Sequence, residues 1–99
     1  MADYRLTLRA EADFREIGRY TQQTWGRRQR EAYLSDLVTA FQRLTDDNAL
    51  GRPRDDVRAG LLSHLCGRHV IFFRRRGQQV EILRILHGRQ SADRAFRTD

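Results

Sequence analysis

The 99-residue sequence contains no lysine and only one cysteine, and it lacks any long apolar run. With Cys66 alone, no disulfide can form within the chain, which is typical of a protein in the cytoplasm. No apolar stretch approaches the roughly 20 residues of a membrane span, and the first residues lack the basic start and apolar core of a secretory signal. No glycine-rich turn of the nucleotide-binding kind occurs, so neither a cofactor nor a membrane partner is predicted.

The charge of the chain is unevenly distributed. All 19 basic residues are arginine and the net charge is +6. Residues 1–49 hold eight arginines against eight acids, whereas residues 50–99 hold eleven against five. A basic second half fits an acidic protein segment, nucleic acid or a complex that contains nucleic acid. Biased codon usage would explain the missing lysine, but it would not explain this one-sided placement.

The length and composition predict a single folded domain over residues 1–99. The chain is 39% hydrophobic and 32% charged, which is polar for a globular protein but outside the disordered range. A chain this short has a small core, so a partner that binds the folded form would add to its stability.

The first half of the chain predicts a strand and two helices. Residues 4–8 alternate apolar and polar side chains, as a half-buried strand does. From Ala10 apolar residues recur at helical spacing, and Gly26 after Trp25 is typical of a helix end. A second helix is predicted over residues 27–46. The apolar stripes consist of Phe14, Ile17, Tyr20 or Thr21 and Thr24 in the first helix, and of Tyr33, Leu37, Ala40, Phe41 and Leu44 in the second. Burying both requires a helix hairpin.

The second half predicts a three-stranded meander after a loop over residues 46–56. The strands are Leu61–Cys66, His69–Arg74 and Val80–His87, with turns at Gly67-Arg68 and at Arg76-Gly77-Gln78. The last two strands are apolar on both faces, as central strands are. Strict alternation would place Ile82 and Leu86 opposite Leu83 and Ile85.

The end of the chain predicts a short helix. Gly88 ends the last strand, and Ser91 can cap a terminal helix that turns Ala95 and Phe96 inward. The whole order predicts an α+β fold with the helix hairpin packed on one face of a sheet that contains the three-stranded antiparallel meander. The first strand is expected beside the last strand or at an edge.

Short motifs along the chain occur in the order and spacing of a known family. They are Ala10–Phe14 with Ile17, Tyr20 and Trp25-Gly26, then Ala32-Tyr33, Leu50-Gly51-Arg52, Val57–Leu61, Gly67–Arg74 and Arg84–Arg89. Together they resemble the ParE branch of the RelE/ParE toxin superfamily over nearly the whole chain. Ala59 departs from a common proline, Phe73 from a common tyrosine and Ser91 from a usual acid.

The resemblance implies a fold, a partner and a target. The implied RelE/ParE-like fold agrees with the elements predicted above. The implied partner is a ParD-like antitoxin, whose C-terminal segment wraps the toxin of a type II toxin–antitoxin system. ParE-like toxins poison DNA gyrase, whereas RelE-like relatives cleave messenger RNA on the ribosome. Binding of a specific nucleic-acid sequence by the toxin alone is not expected.

The two branches require different chemistry. RNA cleavage by its own 2′-hydroxyl needs a base, an acid and positive charge on the phosphate. Arg58, Arg74 and Arg84 could hold the phosphate, and His87 could transfer a proton. No lysine exists, and the last tyrosine, Tyr33, lies on a predicted helix, so no tyrosine is expected near the C-terminal strand. A non-enzymatic gyrase-binding toxin is therefore favoured. The alternatives are a ribosome-dependent endoribonuclease and a degenerate toxin that acts only in antitoxin binding and operon autoregulation.

For a binding toxin, the candidate contacts with antitoxin or target lie in the basic half. They are Arg58, Arg68, Arg74, Arg84, His87 and Arg89. Arg84, among apolar neighbours, is expected either to pair with an acid from a helix or to point into a functional groove. His87 is expected to anchor the tail by hydrogen bonds rather than to catalyse.

Three further sets of residues have simpler interpretations. The run Arg74–Arg76 is expected to be a solvated turn. Trp25 is expected to plug the corner of the helix hairpin. His64, Cys66 and His69 could share a metal, but they lack the closed four-ligand spacing of a structural site, so no metal is predicted.

Overall fold

The computed structural model describes residues 3–97 and contains three helices and five strands within that range. In chain order they are β1 (Asp3–Leu6), α1 (Leu8–Trp25), α2 (Arg27–Asp46), β2 (Arg52–Pro53), β3 (Leu62–Cys66), β4 (His69–Arg76), β5 (Gln79–His87) and α3 (Ala92–Arg97). The predicted α+β order is confirmed. None of the helices in residues 3–97 is long and apolar enough to cross a membrane.

The five strands form one sheet in the order β1-β5-β4-β3-β2. The meander β3-β4-β5 is antiparallel, and its last two strands are central as predicted. β1 lies at the edge beside β5 and runs parallel to it, with Asp3 opposite Gln79 and Leu6 opposite Ile82. The position of β1 was predicted, but its parallel direction was not.

One face of the sheet, the inner face, is covered by α1 and α2. Leu37, Phe41 and Leu44 from α2 are fully buried against Ile71 and Phe73 of β4. Each helix buries the stripe that its spacing predicted, except that Tyr20 and Thr24 of α1 are exposed. Gly26, with φ of 95°, joins the two helices and makes their reversal possible.

The opposite face of the sheet, the outer face, is covered only in part. Phe96 of α3 packs on Phe72 and Leu86, and Leu61 completes this second, smaller apolar cluster. The Ser91 side chain accepts a hydrogen bond from the backbone N–H of Arg94 at 3.2 Å and so caps α3 as predicted.

The first strand is shorter than residues 4–8. Thr7 ends it, because the Thr7 hydroxyl accepts a hydrogen bond from the Ala10 N–H and starts α1 at Leu8. Leu8 is 82% exposed, so its place in the alternating pattern was misleading. The two residues of β2, inside the predicted loop, pair with Ser63 and Leu62 at the other edge of the sheet.

The last strand does not alternate strictly. Phe72 is paired with Arg84 but Phe73 with Ile82, so Leu83 is an extra residue in a β-bulge. Ile85 therefore joins Ile82 in the inner core, and Leu86 joins Leu83 on the outer face. The predicted division of these four side chains was wrong because a bulge shifts the pattern by one residue.

Candidate functional site: a groove beside a tyrosine–histidine cluster

A groove of about 810 Å³ opens on the inner side of the molecule, where the helix hairpin leaves the end of the sheet uncovered. Its walls come from α1 and the start of α2, and its floor comes from the ends of β4 and β5. The lining residues are Asp13, Glu16, Ile17, Tyr20, Thr21, Trp25, Gln29, Tyr33, Gly67, Arg68, His69, Ile85, His87 and Gln90.

Two aromatic side chains stand open along the helix wall of this groove. Tyr20 is 62% exposed and Trp25 is 61% exposed, although both line the groove together with the buried Ile17. The prediction that Trp25 plugs the helix corner was wrong, since the single residue Gly26 makes the corner without it. Exposed aromatic surface in a concave site is typical of protein–protein contact.

A tyrosine–histidine cluster of Tyr33, His69 and His87 forms the end of the groove. The Tyr33 hydroxyl lies 2.6 Å from Nδ1 of His69 and 3.3 Å from the carbonyl oxygen of Cys66. The Tyr33 oxygen also accepts the backbone N–H of Arg68 at 3.0 Å. His69 and His87 are cross-strand partners, and their rings meet edge to face at 5.5 Å. These contacts satisfy the tyrosine hydroxyl and hold the two rings in place.

Gly67 makes room for this cluster. Its φ of 59° suits a tight turn between β3 and β4, which favours glycine. A Cβ at this position would lie 2.7 Å from the Tyr33 ring. The glycine that predicted the turn therefore also lets Tyr33 reach from α2 to the sheet.

The protein environment keeps His69 and Tyr33 uncharged near neutral pH. Burial, together with the nearby His87, lowers the pKa of His69 below its ordinary 6.5, while Asp13 opposes this shift. Burial also raises the pKa of Tyr33 above 10.0, although the Arg68 N–H partly offsets it. Near pH 7, His69 is therefore neutral and Tyr33 keeps its proton.

The absence of tyrosine near the C-terminal strand was a wrong expectation. Tyr33 lies on α2 as predicted, but the hairpin brings its hydroxyl to the histidine that neighbours His87. A tyrosine and two histidines are thus close together. Residue spacing alone gave no sign of this, because 33 residues separate Tyr33 from the Cys66 carbonyl that it meets.

Arg84 is paired with a helix acid, one of the two expected arrangements. Its Nε and Nη2 donate to the Asp13 carboxylate at 2.8 and 3.1 Å. The same carboxylate accepts the backbone N–H of Ile85, just past the bulge, at 2.9 Å. β1 ends at Leu6, before it reaches Ile85. The Asp13 carboxylate therefore accepts the backbone N–H that a neighbouring strand would otherwise bind, and this contact fixes one wall of the groove.

His87 holds the tail through its ring and backbone. Its Nδ1 accepts the N–H of Arg89 at 3.1 Å, and its own N–H donates to the Gln90 side chain at 2.7 Å. The Gly88 N–H donates to the Arg68 carbonyl at 3.0 Å and ties the tail to the β3–β4 turn. This geometry supports a structural anchor at His87.

The other predicted site residues separate into two groups. Arg68 lines the groove, and Arg89 lies in the exposed turn behind His87. Arg58 and Arg74 lie on the outer face instead, where Arg58 stacks 4.9 Å above the Phe96 ring and Arg74 pairs with Glu81. The six residues predicted for contacts therefore do not form one site.

The arginine run at the end of β4 is not a solvated turn. β4 extends to Arg76, so the turn begins only at Gly77. Arg75 points to the inner face, where its guanidinium donates to the carbonyls of Leu44, Asp47 and Leu50 at 2.8, 3.2 and 2.8 Å and closes the end of α2. Within residues 3–97, no three His, Cys, Asp or Glu side chains come together as a metal site.

Comparisons with known proteins show a family match. Residues 4–92 match the family described as the ParE toxin of the type II toxin–antitoxin system, parDE. The chain is 37% identical to Toxin ParE1 of Caulobacter vibrioides over 92 residues, covering 93% of this chain and 95% of that protein. It is 35% identical to Toxin ParE1 of Mycobacterium tuberculosis over 92% of this chain and 94% of that protein.

A solved structure shares the same fold. It is described as a chromosomal ParDE TA system from P. aeruginosa, with a TM-score of 0.74 at 22% sequence identity. The match covers 88% of this chain and 95% of that chain. At this identity the comparison shows the fold alone.

Proposed function

Because the chain belongs to the ParE toxin family of type II toxin–antitoxin systems, we propose that it inhibits growth by binding DNA gyrase and is neutralised by a ParD-like antitoxin. It acts in the cytoplasm as a binding protein rather than an enzyme. The observation that carries the proposal is the groove, which presents exposed Tyr20 and Trp25 beside a cluster in which Tyr33 and His69 are hydrogen-bonded to each other.

The groove is the docking site for an amphipathic segment of the antitoxin. Tyr20 and Trp25 offer large apolar surfaces, and burying such rings contributes strongly to interface energy. Arg68 at the lip and Arg89 in the adjacent turn provide positive charge for acidic side chains of that segment. The net charge of +6 supports the same acidic partner.

Co-purification of the toxin with the product of the adjacent gene tests this docking site. Trp25→Ala and Tyr20→Ala are each expected to weaken the complex about tenfold or more, as the loss of an interface aromatic does. Leu8→Ala is the matched control, because Leu8 is an even more exposed apolar side chain that lies outside the groove. Equal effects of all three changes would show that the antitoxin does not dock in the groove. The absence of any complex would contradict the proposed ParD-like antitoxin.

The target is tested with purified gyrase. Stoichiometric excess of the toxin is expected to block supercoiling of relaxed plasmid, and premixing with the antitoxin is expected to restore it. Unaffected supercoiling, together with growth arrest in cells, would point to another target. Failure to arrest growth without the antitoxin would instead favour the degenerate toxin that acts only in autoregulation.

A ribosome-dependent ribonuclease is the second candidate, because the fold brings Tyr33 next to His69, which was not predicted from the sequence. Against it, the Tyr33 hydroxyl and His87 Nδ1 are already engaged in internal hydrogen bonds. Mapping of messenger RNA ends after induction separates the two functions. In-frame cuts that disappear in Tyr33→Phe would establish cleavage, and intact transcripts during growth arrest would exclude it.

A further inference from the structure

We propose that the outer face of the sheet carries a binding surface for the phosphates of double-stranded DNA, independent of base sequence. The surface is built on Arg5, Arg74 and Arg76 around Glu81, and we call it the arginine face. It lies on the opposite side of the sheet from the groove. The proposal goes beyond the toxin–antitoxin function, since it requires neither the antitoxin nor gyrase.

Arg5, Glu81 and Arg74 lie side by side across three strands. Glu81 is the Cα partner of Arg5 on β1 and of Arg74 on β4. One carboxylate oxygen accepts Nη2 of Arg5 at 3.3 Å, and the other accepts Nε of Arg74 at 2.6 Å. Glu81 is only 6% exposed, whereas the arginine side chains are 63% and 44% exposed. A buried carboxylate therefore holds two open guanidinium groups.

The need for stability does not explain this triplet. Burying a carboxylate costs solvation, and apolar residues of similar size often stabilise a protein equally well. The hydrogen bond from Arg74, helped by the charges of Arg5 and Arg76, keeps the pKa of Glu81 below its ordinary value despite burial. What the ionised carboxylate provides is orientation. Guanidinium groups fixed before binding lose less conformational freedom when they meet an anion.

The arginine face continues along β4 on both sides of Arg74. Arg76 lies two residues further on the same face and is exposed, and its charge acts on Glu81. In the other direction, Arg54 stacks above the Phe72 ring at 5.6 Å. Strands are spaced about 4.8 Å apart and rise about 3.3 Å per residue, so these guanidinium groups span roughly 10 Å in each direction.

Acidic residues near the arginine face set its net charge. Asp3 lies on β1 at the rim, where it accepts a hydrogen bond from Gln79, and Asp56 is bound to Arg54 by two hydrogen bonds. Asp56 thus neutralises Arg54, while Arg5, Arg74 and Arg76 outnumber Glu81 and Asp3. The positive charge is concentrated where β4, β5 and β1 lie together.

The shape of this surface fits a duplex better than a peptide. An extended peptide gains affinity by pairing with a strand edge or by filling a groove. The arginine face offers side chains on the flat of the sheet, and the edge strand beside it, β1, is only four residues long, which is short for pairing with a peptide. Arginine forms two parallel hydrogen bonds with phosphate, and phosphate contacts carry the affinity of sequence-independent DNA binding.

The test measures binding of the purified full-length chain to a fluorescent 20-base-pair duplex by anisotropy, at several salt concentrations. The triple variant Arg5→Gln/Arg74→Gln/Glu81→Gln removes two arginines without leaving the buried carboxylate unpaired. Its matched control is Arg27→Gln/Arg28→Gln/Glu31→Gln, which removes the same charges from an exposed part of α2. The first triple is expected to bind about tenfold more weakly and to lower the salt slope by about 2, and the control should change little.

Two single variants keep the test valid if the triple variant fails to fold. Arg76→Gln removes one exposed cation of the arginine face and is expected to weaken duplex binding about threefold and lower the salt slope by about 1. Asp3→Asn removes the competing rim charge and is expected to strengthen binding. Absence of duplex binding by the native chain, or equal losses in both triples, would overturn the proposal. A 20-residue polyglutamate peptide that binds through the triplet while the duplex does not would assign the face to an acidic protein segment instead.

Discussion

The two faces of the sheet are built on opposite principles. The inner face buries apolar side chains under two long helices, and its groove offers aromatic surface with acids that are already paired. The outer face has a small apolar cluster under a six-residue helix and exposes arginines around one carboxylate. The same strands thus supply most of the core on one side and a charged surface on the other. The difference indicates that stability and recognition by charge are divided between the faces.

The largest expected difference between the faces concerns their apolar cores. Phe41→Ala should lower the free energy of unfolding by about 4 kcal/mol, since Phe41 is fully buried among both helices and the sheet. Phe96→Ala should cost about 2 kcal/mol, because the short α3 can move to refill the space. Urea denaturation followed by circular dichroism measures both. Equal losses would mean that the outer cluster is as essential as the inner core.

Two ion-paired carboxylates, Asp13 and Glu81, provide the next comparison. Asp13→Asn should cost about 3 kcal/mol, because it removes the carboxylate that binds the Arg84 guanidinium between a helix and the sheet. Glu81→Gln should cost about 1 kcal/mol, since water can solvate the exposed Arg5 and Arg74. The same denaturation experiment measures both variants. A larger loss from Glu81→Gln would contradict the division between the faces.

Two glycines, in the turns on either side of β4, allow the energetic cost of backbone strain to be measured apart from the cost of a side-chain clash. Gly67 and Gly77 have nearly equal φ of 59° and 57°, but only Gly67 has atoms within 4 Å of an added Cβ. Gly77→Ala should cost about 1 kcal/mol from backbone strain, and Gly67→Ala about 1 kcal/mol more, from displacing Tyr33. Thermal melting measures both. Similar melting temperatures would show that the Tyr33 ring moves aside at little cost.

The smallest expected effect is a loss of stability in weak acid. The pKa of His69 is lowered in the folded chain, mainly by burial and then by His87, with Asp13 opposing, while Tyr33 and Arg68 also face the cluster. The unfolded chain therefore takes up the proton first. Stability is full above pH 6.5 and falls as the pH drops below it. His64, whose pKa is lowered by burial and Arg43, contributes in the same direction.

Denaturation at pH 7.5 and pH 5.5 measures this effect. His69→Gln should reduce the difference between the free energies of unfolding at the two pH values. His64→Gln should reduce it by a smaller amount, because His64 lies outside the tyrosine–histidine cluster and its pKa is lowered only by burial and Arg43. An unchanged difference in both variants would show that other groups control the acid response.

Periodicity in the sequence predicted most of the fold for a physical reason. Helix stripes such as Leu37, Phe41 and Leu44, and the two-faced strands β4 and β5, reflect burial, which selects apolar residues at regular intervals. The bulge at Leu83 was missed because one inserted residue moves the following side chains to the opposite faces of the sheet, while the amino-acid composition of the strand stays the same. The parallel direction of β1 was missed because the side chains of a four-residue strand do not indicate in which direction it pairs with its neighbour.

The candidate site was less predictable than the fold. His87 and Arg68 were identified because their residue types and turn positions suggest function. Tyr33 was assigned only to a helix stripe, and its role beside His69 depends on how closely Gly67 lets the helix approach. Trp25 was expected to plug the corner of the helix hairpin, whereas the reversal at one glycine leaves its side chain exposed in the groove.

The pairing of β1 with β5 affects the order in which the protein forms. β1 opens the described chain, but its partners, Gln79–Ile82, are translated about three-quarters of the chain later. Val80, Ile82 and Ile85 of the inner core and His87 of the groove also come late. Contacts so distant in sequence close slowly. The nascent chain therefore completes neither its core nor its groove until translation is almost finished.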